Sequence, residues 1–141
     1  MAITNFVGKH AFLSNFYEHA HHKVMYAEHD YDHVEGAYQS AKCKVTTDRQ
    51  RFVGHSPAYA KKLGRQVPIR EDWEMAKVGV MENLLRQKFN DPALRQQLLD
   101  TGDEEIIEGN WWNDTFWGVC NGVGENWLGK LLMRLREEYR E

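Results

Sequence analysis

The sequence predicts an α+β fold, a single compact and predominantly helical domain with a few short strands over residues 1–141. Three observations predict it. The first 34 residues lack helical period and are rich in aromatic and β-branched side chains, whereas apolar residues recur at helical spacing in most later segments. A length of 141 residues suffices for one hydrophobic core and not for two, and no repeat, linker or charge block divides the chain.

The amino-terminal segment predicts a β-hairpin followed by a first helix. Val24, Tyr26 and Tyr31 are spaced like a strand face, with a turn around residues 27–30. Apolar residues then recur at helical spacing and predict a helix that ends at residue 42 or 44. These residues are Val34, Ala37, Tyr38 and Ala41.

Capping residues predict two short helices in the middle of the chain. Thr47 has the capping-box spacing to a glutamine three residues later, and this helix ends near Gly54. Ser56 and Pro57 suit an N-cap and a first helical position, and Gly64 suits the end of the second helix.

A helix of about four turns is predicted from Asp72 onward, and another from Asp91-Pro92 to Gly102. The stripe of the longer helix is Met75, Val78, Met81, Leu85 and Phe89. The segment 104–108 predicts a strand, and the glycine-rich segment 118–124 predicts a loop. Asn126 is expected to cap a last helix.

Charge and composition exclude several classes of protein. Eighteen Lys and Arg against 21 Asp and Glu give a net charge of −3, which provides no long-range attraction to a polyanion. No apolar run approaches the length of about 20 residues that a membrane span needs, and the first twelve residues lack the apolar stretch of a secretory signal. We therefore expect a cytoplasmic protein with no membrane partner, and the sequence carries no signal for an oligomeric state.

The cysteines and histidines predict no metal site. Cys43 and Cys120 are far apart and belong to no Cys-x-x-Cys pair, so we expect reduced thiols in the core. His19 and His21 fall on one face of a strand, but no carboxylate pattern or ligand motif accompanies them. We interpret them as surface or core histidines.

One face of the predicted first helix carries polar side chains. Glu35, Gln39 and Lys42 fall at i, i+4 and i+7, which puts a carboxylate, an amide and an amine on one stripe, and Tyr38 flanks it. Two interpretations are open. The stripe is either a solvated helix face, or a catalytic strip in which the helix dipole stabilises the carboxylate and the lysine acts as a cation or, once desolvated, a nucleophile.

Two further clusters carry open alternatives. Four of the five tryptophans fall between Trp111 and Trp127, with Asp114 among them. This run is either core or the wall of a pocket that stacks a base and bonds a sugar. The basic residues on and after the Pro57 helix are either a solvated helix end or a clamp for a phosphorylated ligand. They are Lys61, Lys62, Arg65 and Arg70.

Several segments together follow the pattern of one family. They are Phe12-Leu13-Ser14-Asn15-Phe16-Tyr17, Val34-Glu35-Gly36-Ala37-Tyr38-Gln39-Ser40-Ala41-Lys42, Leu63-Gly64-Arg65, Ile69-Arg70-Glu71-Asp72-Trp73, Val80-Met81, Asp114 with Trp117-Gly118, and Asn126-Trp127-Leu128-Gly129-Lys130-Leu131-Leu132-Met133-Arg134. They occur in the family order and cover nearly the whole chain. The sequence resembles the NADAR or YbiA-like N-glycosidases.

The resemblance implies an α+β, mainly helical fold and hydrolysis of bonds between ribose and a nitrogen. The implied substrates are phosphorylated ribosylamino-pyrimidine intermediates of riboflavin biosynthesis, or ADP-ribose attached to guanine, including ADP-ribosylated nucleic acid. No cofactor is implied. Two departures from the family pattern predict a change of substrate rather than of chemistry: Gly36 stands where His is usual, and Val119-Cys120-Asn121 follows Gly118.

The resemblance transfers functional positions to Glu35, Trp73 and Asp114, with Lys42 close to the pocket. Cleavage builds oxocarbenium-like charge on the sugar, which one carboxylate stabilises while a second acid manages the leaving nitrogen, so we expect Glu35 and Asp114 to form that pair. Where the nitrogen is exocyclic, the sugar opens to an imine that Lys42 can exchange into a Schiff base. The predicted substrate-binding residues are Ser14, Asn15, Phe16, Tyr38, Gln39, Arg65, Arg70, Trp73, Trp117, Gly118 and Asn126.

The sequence leaves two alternatives to an N-ribosyl hydrolase. In a non-catalytic NAD or ADP-ribose binding module, the same aromatic pocket holds the ligand and the acids only orient it. In a purely structural interpretation, the tryptophans are core and the acids are surface, and no ligand changes the tryptophan fluorescence.

Overall fold

A computed structural model of the chain describes residues Met1–Glu141. In chain order the elements are β1 (Ala2–Ile3), a 3₁₀ helix (Gly8–Leu13), β2 (Val24–Tyr26), β3 (His29–Tyr31), α1 (Val34–Ala41), a 3₁₀ helix (Thr46–Phe52), α2 (Pro57–Leu63), α3 (Trp73–Lys88), α4 (Pro92–Leu99), β4 (Glu105–Ile106), β5 (Gly109–Asn110), β6 (Val119–Cys120) and α5 (Trp127–Tyr139). Helices hold 46% of the residues. The predicted α+β, predominantly helical class is confirmed.

The chain divides into two compact units. Residues Asn15–Asp91 form one, called the central unit below. Met1–Ser14 and Pro92–Glu141 form the other, called the terminal unit. None of the helices combines the length and the apolar character that a membrane span requires.

The central unit begins with the predicted hairpin. Strands β2 and β3 pair antiparallel, with Val24 opposite Tyr31 and Tyr26 opposite His29. Ala27 lies in the turn with a φ of 54°. Val24 and Tyr31 are buried, as the strand-face spacing predicts.

Helix α1 lies at the middle of the central unit and packs against α2, α3, β2, β3 and the Thr46–Phe52 3₁₀ helix. All eight of its residues are buried. His33 caps its amino end, because the His33 Nδ1 accepts a hydrogen bond of 2.9 Å from the Gly36 N–H. A side chain at position 36 has no room, since a Cβ there comes within 2.7 Å of the His33 ring. This packing accounts for Gly36.

Helix α2 begins as predicted, with the Ser56 Oγ accepting a hydrogen bond of 3.1 Å from the Tyr59 N–H. In α3 the predicted stripe is partly wrong. Met75 is 90% exposed, because it lies in the first turn of the helix on the side away from the core. The buried face of α3 consists of Trp73, Met81, Leu84, Leu85 and Lys88.

The terminal unit carries two small parallel strand pairs, with Ile3 opposite Ile106 and Gly109 opposite Val119. Helices α4 and α5 pack together, and the buried face of α5 includes four leucines. Arg136 on α5 donates hydrogen bonds of 2.9 Å to the Thr101 Oγ1 and 2.8 Å to the Glu104 carbonyl. These bonds tie α5 to the segment between α4 and β4.

Two predictions for this part of the chain are wrong in detail. The segment 118–124 is not wholly a loop, because Val119–Cys120 pairs with Gly109–Asn110. Asn126 precedes α5 but its side chain does not cap it, because the residue has a left-handed φ of 54° and turns its side chain toward other backbone groups. Cys43 and Cys120 are free and buried, as predicted.

Candidate active site

Helix α1 presents a buried polar pair, Glu35 and Gln39. The two residues are 7% and 6% exposed, so the solvated-face interpretation is wrong for them. The Gln39 Nε2 donates a hydrogen bond of 2.6 Å to the Glu35 Oε2. The Glu35 backbone N–H donates to the Asn15 carbonyl at 3.0 Å, which fixes the first turn of α1 against the preceding segment.

The surroundings of Glu35 act on its pKa in opposite directions. Burial raises the pKa of the Glu35 carboxyl, because the charged form loses its hydration. The hydrogen bond from Gln39 opposes this rise, as do the positive charges of Lys61 and Lys42. The net direction is upward, so Glu35 holds a proton to a higher pH than an exposed glutamate does.

Lys42 stands at the carboxyl end of α1, where it is the C-cap residue and half-buried. Its backbone N–H donates to the Gln39 carbonyl at 3.3 Å. Burial lowers the pKa of the Lys42 amine, Glu35 opposes this, and Arg65 adds to it. A lowered pKa increases the fraction of neutral amine, which is the nucleophilic form.

Tyr38 and Trp73 form an aromatic pair beside this stripe. Their ring centroids are 5.1 Å apart and the planes are tilted by 55°. Trp73 is only 6% exposed. The ring packs against Tyr38 at the start of α3, and the predicted role of Trp73 in substrate binding stays a prediction.

The segment before the hairpin contributes Asn15 and Phe16. The Asn15 Nδ2 approaches the Met81 sulfur at 3.6 Å, and its Oδ1 is buried without a hydrogen-bond partner. Phe16 is 40% exposed, and the Lys61 Nζ lies 5.8 Å from the centre of its ring. The charge of Lys61 also acts on the Glu35 carboxyl. The sequence interpretation missed this relation, because it placed Lys61 only in a basic cluster.

The two predicted arginines differ in their engagement. Arg70 donates to Asp72 at 2.6 Å, to the Tyr26 hydroxyl at 3.2 Å and to the Ala41 carbonyl at 3.3 Å. These bonds join β2, the end of α1 and the start of α3. Arg65 is exposed, and its charge acts on Lys42. Arg65 is thus the freer of the two to meet a ligand.

In the terminal unit, Asp114 organises its own loop. Its Oδ1 accepts hydrogen bonds from the N–H groups of Phe116 at 3.2 Å and Trp117 at 2.9 Å. Asn110 braces the same turn, since its Oδ1 accepts from the Asp114 N–H at 3.1 Å and its Nδ2 donates to the Asp114 carbonyl at 2.9 Å. This bonding gives Asp114 a structural role, and its assignment as a second acid stays a prediction.

The tryptophans of this unit divide into two groups. Trp111 and Trp112 are 85% and 42% exposed, so the core interpretation is wrong for them. Phe116 lies edge-on to the half-buried Trp117 at 4.9 Å and stacks with Trp127 at 6.2 Å. A stacking role for Trp117 stays a prediction.

Three other predicted site residues of the terminal unit have structural partners. The Asn126 side chain accepts from the Glu108 N–H and donates to the Ile106 carbonyl, both at 2.9 Å. Gly118 is a packing glycine, because a Cβ there lies 1.7 Å from the Glu108 carboxylate. Ser14 ends the Gly8–Leu13 3₁₀ helix, and its N–H donates to the Ala11 carbonyl at 3.0 Å.

Comparison with known proteins decides the family. The model of the NADAR domain matches residues 5–140, almost the whole chain. The chain belongs to the NADAR domain family. Its NADAR domain contains both the Glu35–Gln39 pair and the Asp114 loop.

Relatives extend this assignment. A protein of Shigella boydii named N-glycosidase YbiA is 45% identical over 87 residues, which are 59% of this chain and 54% of the relative. A riboflavin biosynthesis protein of Vibrio vulnificus is 36% identical over 94% of this chain and 36% of its own. The NMR structure of Escherichia coli YbiA matches with a TM-score of 0.81 and 33% identity, over 99% of this chain and 87% of that one. The chain spans about half the length of the curated YbiA relatives it matches in sequence.

Proposed function

We propose that this protein hydrolyses the N-ribosyl bond of a phosphorylated ribosylamino-pyrimidine or of ADP-ribosylated guanine. The observation that carries the proposal is the buried Glu35 carboxyl, which accepts a hydrogen bond from Gln39 and is influenced by the charges of Lys61 and Lys42. A carboxyl buried in a helix costs free energy, and the side-chain hydrogen bond that Glu35 accepts comes from Gln39. Its place on the matching family segment supports a chemical role.

The Glu35 carboxyl supplies what cleavage of a ribose–nitrogen bond requires. As the bond breaks, positive charge develops at the anomeric carbon, and a carboxylate within a dry site stabilises it strongly. A raised pKa also lets the same group keep a proton to a higher pH than an exposed glutamate does and give it to the substrate. Asp114 is proposed as the second acid, which manages the leaving nitrogen.

Lys42 opens a covalent route where the nitrogen is exocyclic. Proton transfer opens the ribose ring to an iminium between C1 and that nitrogen. The neutral Lys42 Nζ attacks C1, the C1–N bond to the base breaks, and the base departs as an amine that has taken up a proton. Water then adds to the Lys42–C1 imine, and the sugar leaves as the aldehyde while the lysine is regenerated.

The other predicted residues are proposed to bind the substrate. Lys61 and Arg65 offer positive charge for a phosphate, and Phe16 offers an exposed ring for a base or a sugar face. Tyr38, Trp73 and Trp117 are proposed to line the base site. We further propose that the chain works as one NADAR domain, without metal or redox cofactor, in the cytoplasm.

The names of two relatives support the choice of substrate. The Vibrio vulnificus relative is named a riboflavin biosynthesis protein and the Shigella boydii relative an N-glycosidase. A phosphorylated ribosylamino-pyrimidine satisfies both names, because it carries an N-glycosyl bond. ADP-ribosylated guanine presents the same exocyclic nitrogen on ribose and is the second substrate to test.

The test is a turnover assay on both substrates. Purified protein is incubated with each compound, and free ribose phosphate or free ADP-ribose is measured by mass spectrometry. A sample without protein serves as the blank for spontaneous hydrolysis. We expect release above that blank from at least one substrate. Binding of a substrate without release contradicts the proposal and favours a non-catalytic binding module.

A further inference from the structure

Gly64 has no conformational reason to be glycine. It follows α2 as the C-cap residue with φ −60° and ψ −21°, which is ordinary right-handed helical backbone that any residue adopts. Its surroundings supply the reason instead. A Cβ at position 64 lies 2.0 Å from the Gln39 Oε1, 2.8 Å from the Gln39 Cδ and 3.3 Å from the Ala60 carbonyl. The Gln39 amide occupies the space that a side chain at 64 needs.

The Gln39 amide has a single hydrogen-bond partner. Its Nε2 donates to the Glu35 carboxylate at 2.6 Å, whereas its Oε1 is buried and accepts no hydrogen bond. An orphaned buried acceptor costs free energy, so the fold alone does not favour this orientation. The bond to Glu35 and the space at Gly64 are what hold it there.

We propose that Gly64 and Gln39 are positioning residues for Glu35: the absent Cβ at 64 seats the Gln39 amide, and the seated amide fixes the Glu35 carboxylate. This inference rests on the proposed function, in which Glu35 is the reacting carboxyl. Gly64, at the carboxyl end of α2, touches neither the substrate nor Glu35. Its role is to keep the hydrogen bond between Gln39 and Glu35 in place.

A methyl group at position 64 is expected to displace the Gln39 amide. In Gly64→Ala the Gln39 amide moves away and its bond to Glu35 is lost, while the backbone at 64 is unstrained. The charges of Lys61 and Lys42 around Glu35 stay as they are. Loss of the bond raises the pKa of Glu35 further, since Gln39 opposes the effect of burial. Turnover falls roughly ten- to hundredfold, the range of one hydrogen bond to a charged group, and the loss is in kcat more than in KM.

The experiment compares four variants with the wild type: Gly64→Ala, Gln39→Ala, the Gly64→Ala/Gln39→Ala double variant, and Gly79→Ala as the matched control. Gly79 lies in α3, and a Cβ there meets nothing within 4 Å. The Glu35 pKa is measured by carbon-13 NMR on protein labelled at the glutamate carboxyl, with the Glu35 signal identified by its disappearance in Glu35→Gln. This readout needs no turnover, so it separates failure of the inference from failure of the proposed function.

We expect Gly64→Ala and Gln39→Ala to raise the Glu35 pKa alike, and Gly79→Ala to leave it unchanged. The double variant matches Gln39→Ala alone in pKa and kcat, because both changes remove the same bond. It also folds even where Gly64→Ala does not, since a short side chain at 39 vacates the space for the new methyl group. An unchanged pKa in Gly64→Ala, additive losses in the double variant, or a double variant that fails to fold overturns the inference.

Discussion

Helix α1 and the segment from Asn110 to Trp117 differ in which side chains they bury: α1 buries polar ones, and the second segment exposes aromatic ones. In α1 the carboxyl of Glu35 and the amide of Gln39 are almost fully buried. In the second segment Trp111 and Trp112 are exposed to solvent. Each region departs from the usual relation between residue type and burial. The two departures differ in what compensates for them.

The polar groups of the loop are compensated by its own backbone. Asp114 and Asn110 each bond to main-chain groups of the turn, so local structure accounts for both residue types. Backbone groups do not compensate the Glu35–Gln39 pair in this way. The Glu35 carboxylate accepts its side-chain hydrogen bond from the Gln39 Nε2, and the Gln39 Oε1 accepts no hydrogen bond. Buried polar groups without a structural explanation mark α1 as the stronger candidate for chemistry.

The largest effect is expected at Lys42, the amine of the α1 stripe. Lys42→Arg keeps the charge but removes the nucleophile, because a guanidinium stays protonated. We expect a loss of turnover at least as large as the roughly 10²–10⁴-fold associated with a positioned acid–base group. We expect borohydride added during turnover to trap an imine on this lysine, which mass spectrometry of the peptide from Tyr38 to Lys44 would detect.

Lys44 is the matched control for that prediction. It is 59% exposed and lies two residues beyond Lys42, outside α1. Lys44→Arg is expected to leave turnover and adduct formation unchanged. An active Lys42→Arg variant without any adduct reduces Lys42 to an electrostatic contact.

Trp73 tests whether the aromatic pair beside α1 is core. Because Trp73 is buried against Tyr38, truncation in Trp73→Ala is expected to cost about 3–5 kcal/mol of unfolding free energy. Trp73→Phe keeps a ring there and is expected to cost less. Urea unfolding of the three proteins measures both. A Trp73→Ala variant of wild-type stability with weakened ligand binding restores the sequence-based expectation of a stacking residue.

Glu35 also predicts a pH dependence of stability. Its pKa is raised in the folded state, so the folded protein binds this proton more tightly than the unfolded chain does. The stabilisation is complete below the unfolded pKa of about 4.3 and is lost as pH rises through the folded pKa. Thermal melts from acid to neutral pH are therefore expected to show Glu35→Gln gaining in Tm relative to wild type. Parallel curves across this range argue against a raised pKa.

The smallest effect is expected at Trp111, in the solvent-exposed part of the segment from Asn110 to Trp117. Trp111 is 85% exposed, so Trp111→Ala is expected to change the unfolding free energy by no more than about 0.5 kcal/mol. Chemical unfolding beside Trp73→Ala makes the contrast between the two tryptophans direct. A loss comparable to that of Trp73→Ala shows that the segment is packed in solution.

The helices and the hairpin followed from local signals, because caps and periodicity act within a few residues. Ser56 and Pro57 marked the start of α2, and Val24 and Tyr31 marked the paired strands. The burial of side chains could not be predicted from such local signals. The spacing of Glu35 and Gln39 showed that they share a helix face, but only packing against other elements decides whether water reaches that face.

The remaining errors have the same origin in long-range contacts. Met75 has the right period for the α3 stripe but lies beyond the core at the start of the helix, whereas Lys88 falls on the buried face. Burial lowers the pKa of Lys88 to about 7. Asn126 is a residue type that often caps helices. Its backbone is left-handed, however, and its side chain bonds the Ile106 carbonyl and the Glu108 N–H instead. The close approach of the Gln39 amide to Gly64 links α1 to the end of α2. Neither the sequence pattern around Gln39 nor that around Gly64 predicts it.

The chemical role of Glu35 is tested most directly by measuring binding and turnover in the same Glu35→Gln preparation. The substitution is nearly isosteric and removes only the acid. Tryptophan fluorescence or calorimetry gives the affinity for the substrate that the wild type cleaves, and product release gives turnover. We expect near wild-type affinity with turnover lowered by about 10²–10⁴-fold. A variant that keeps more than about half of the wild-type turnover contradicts a chemical role for Glu35.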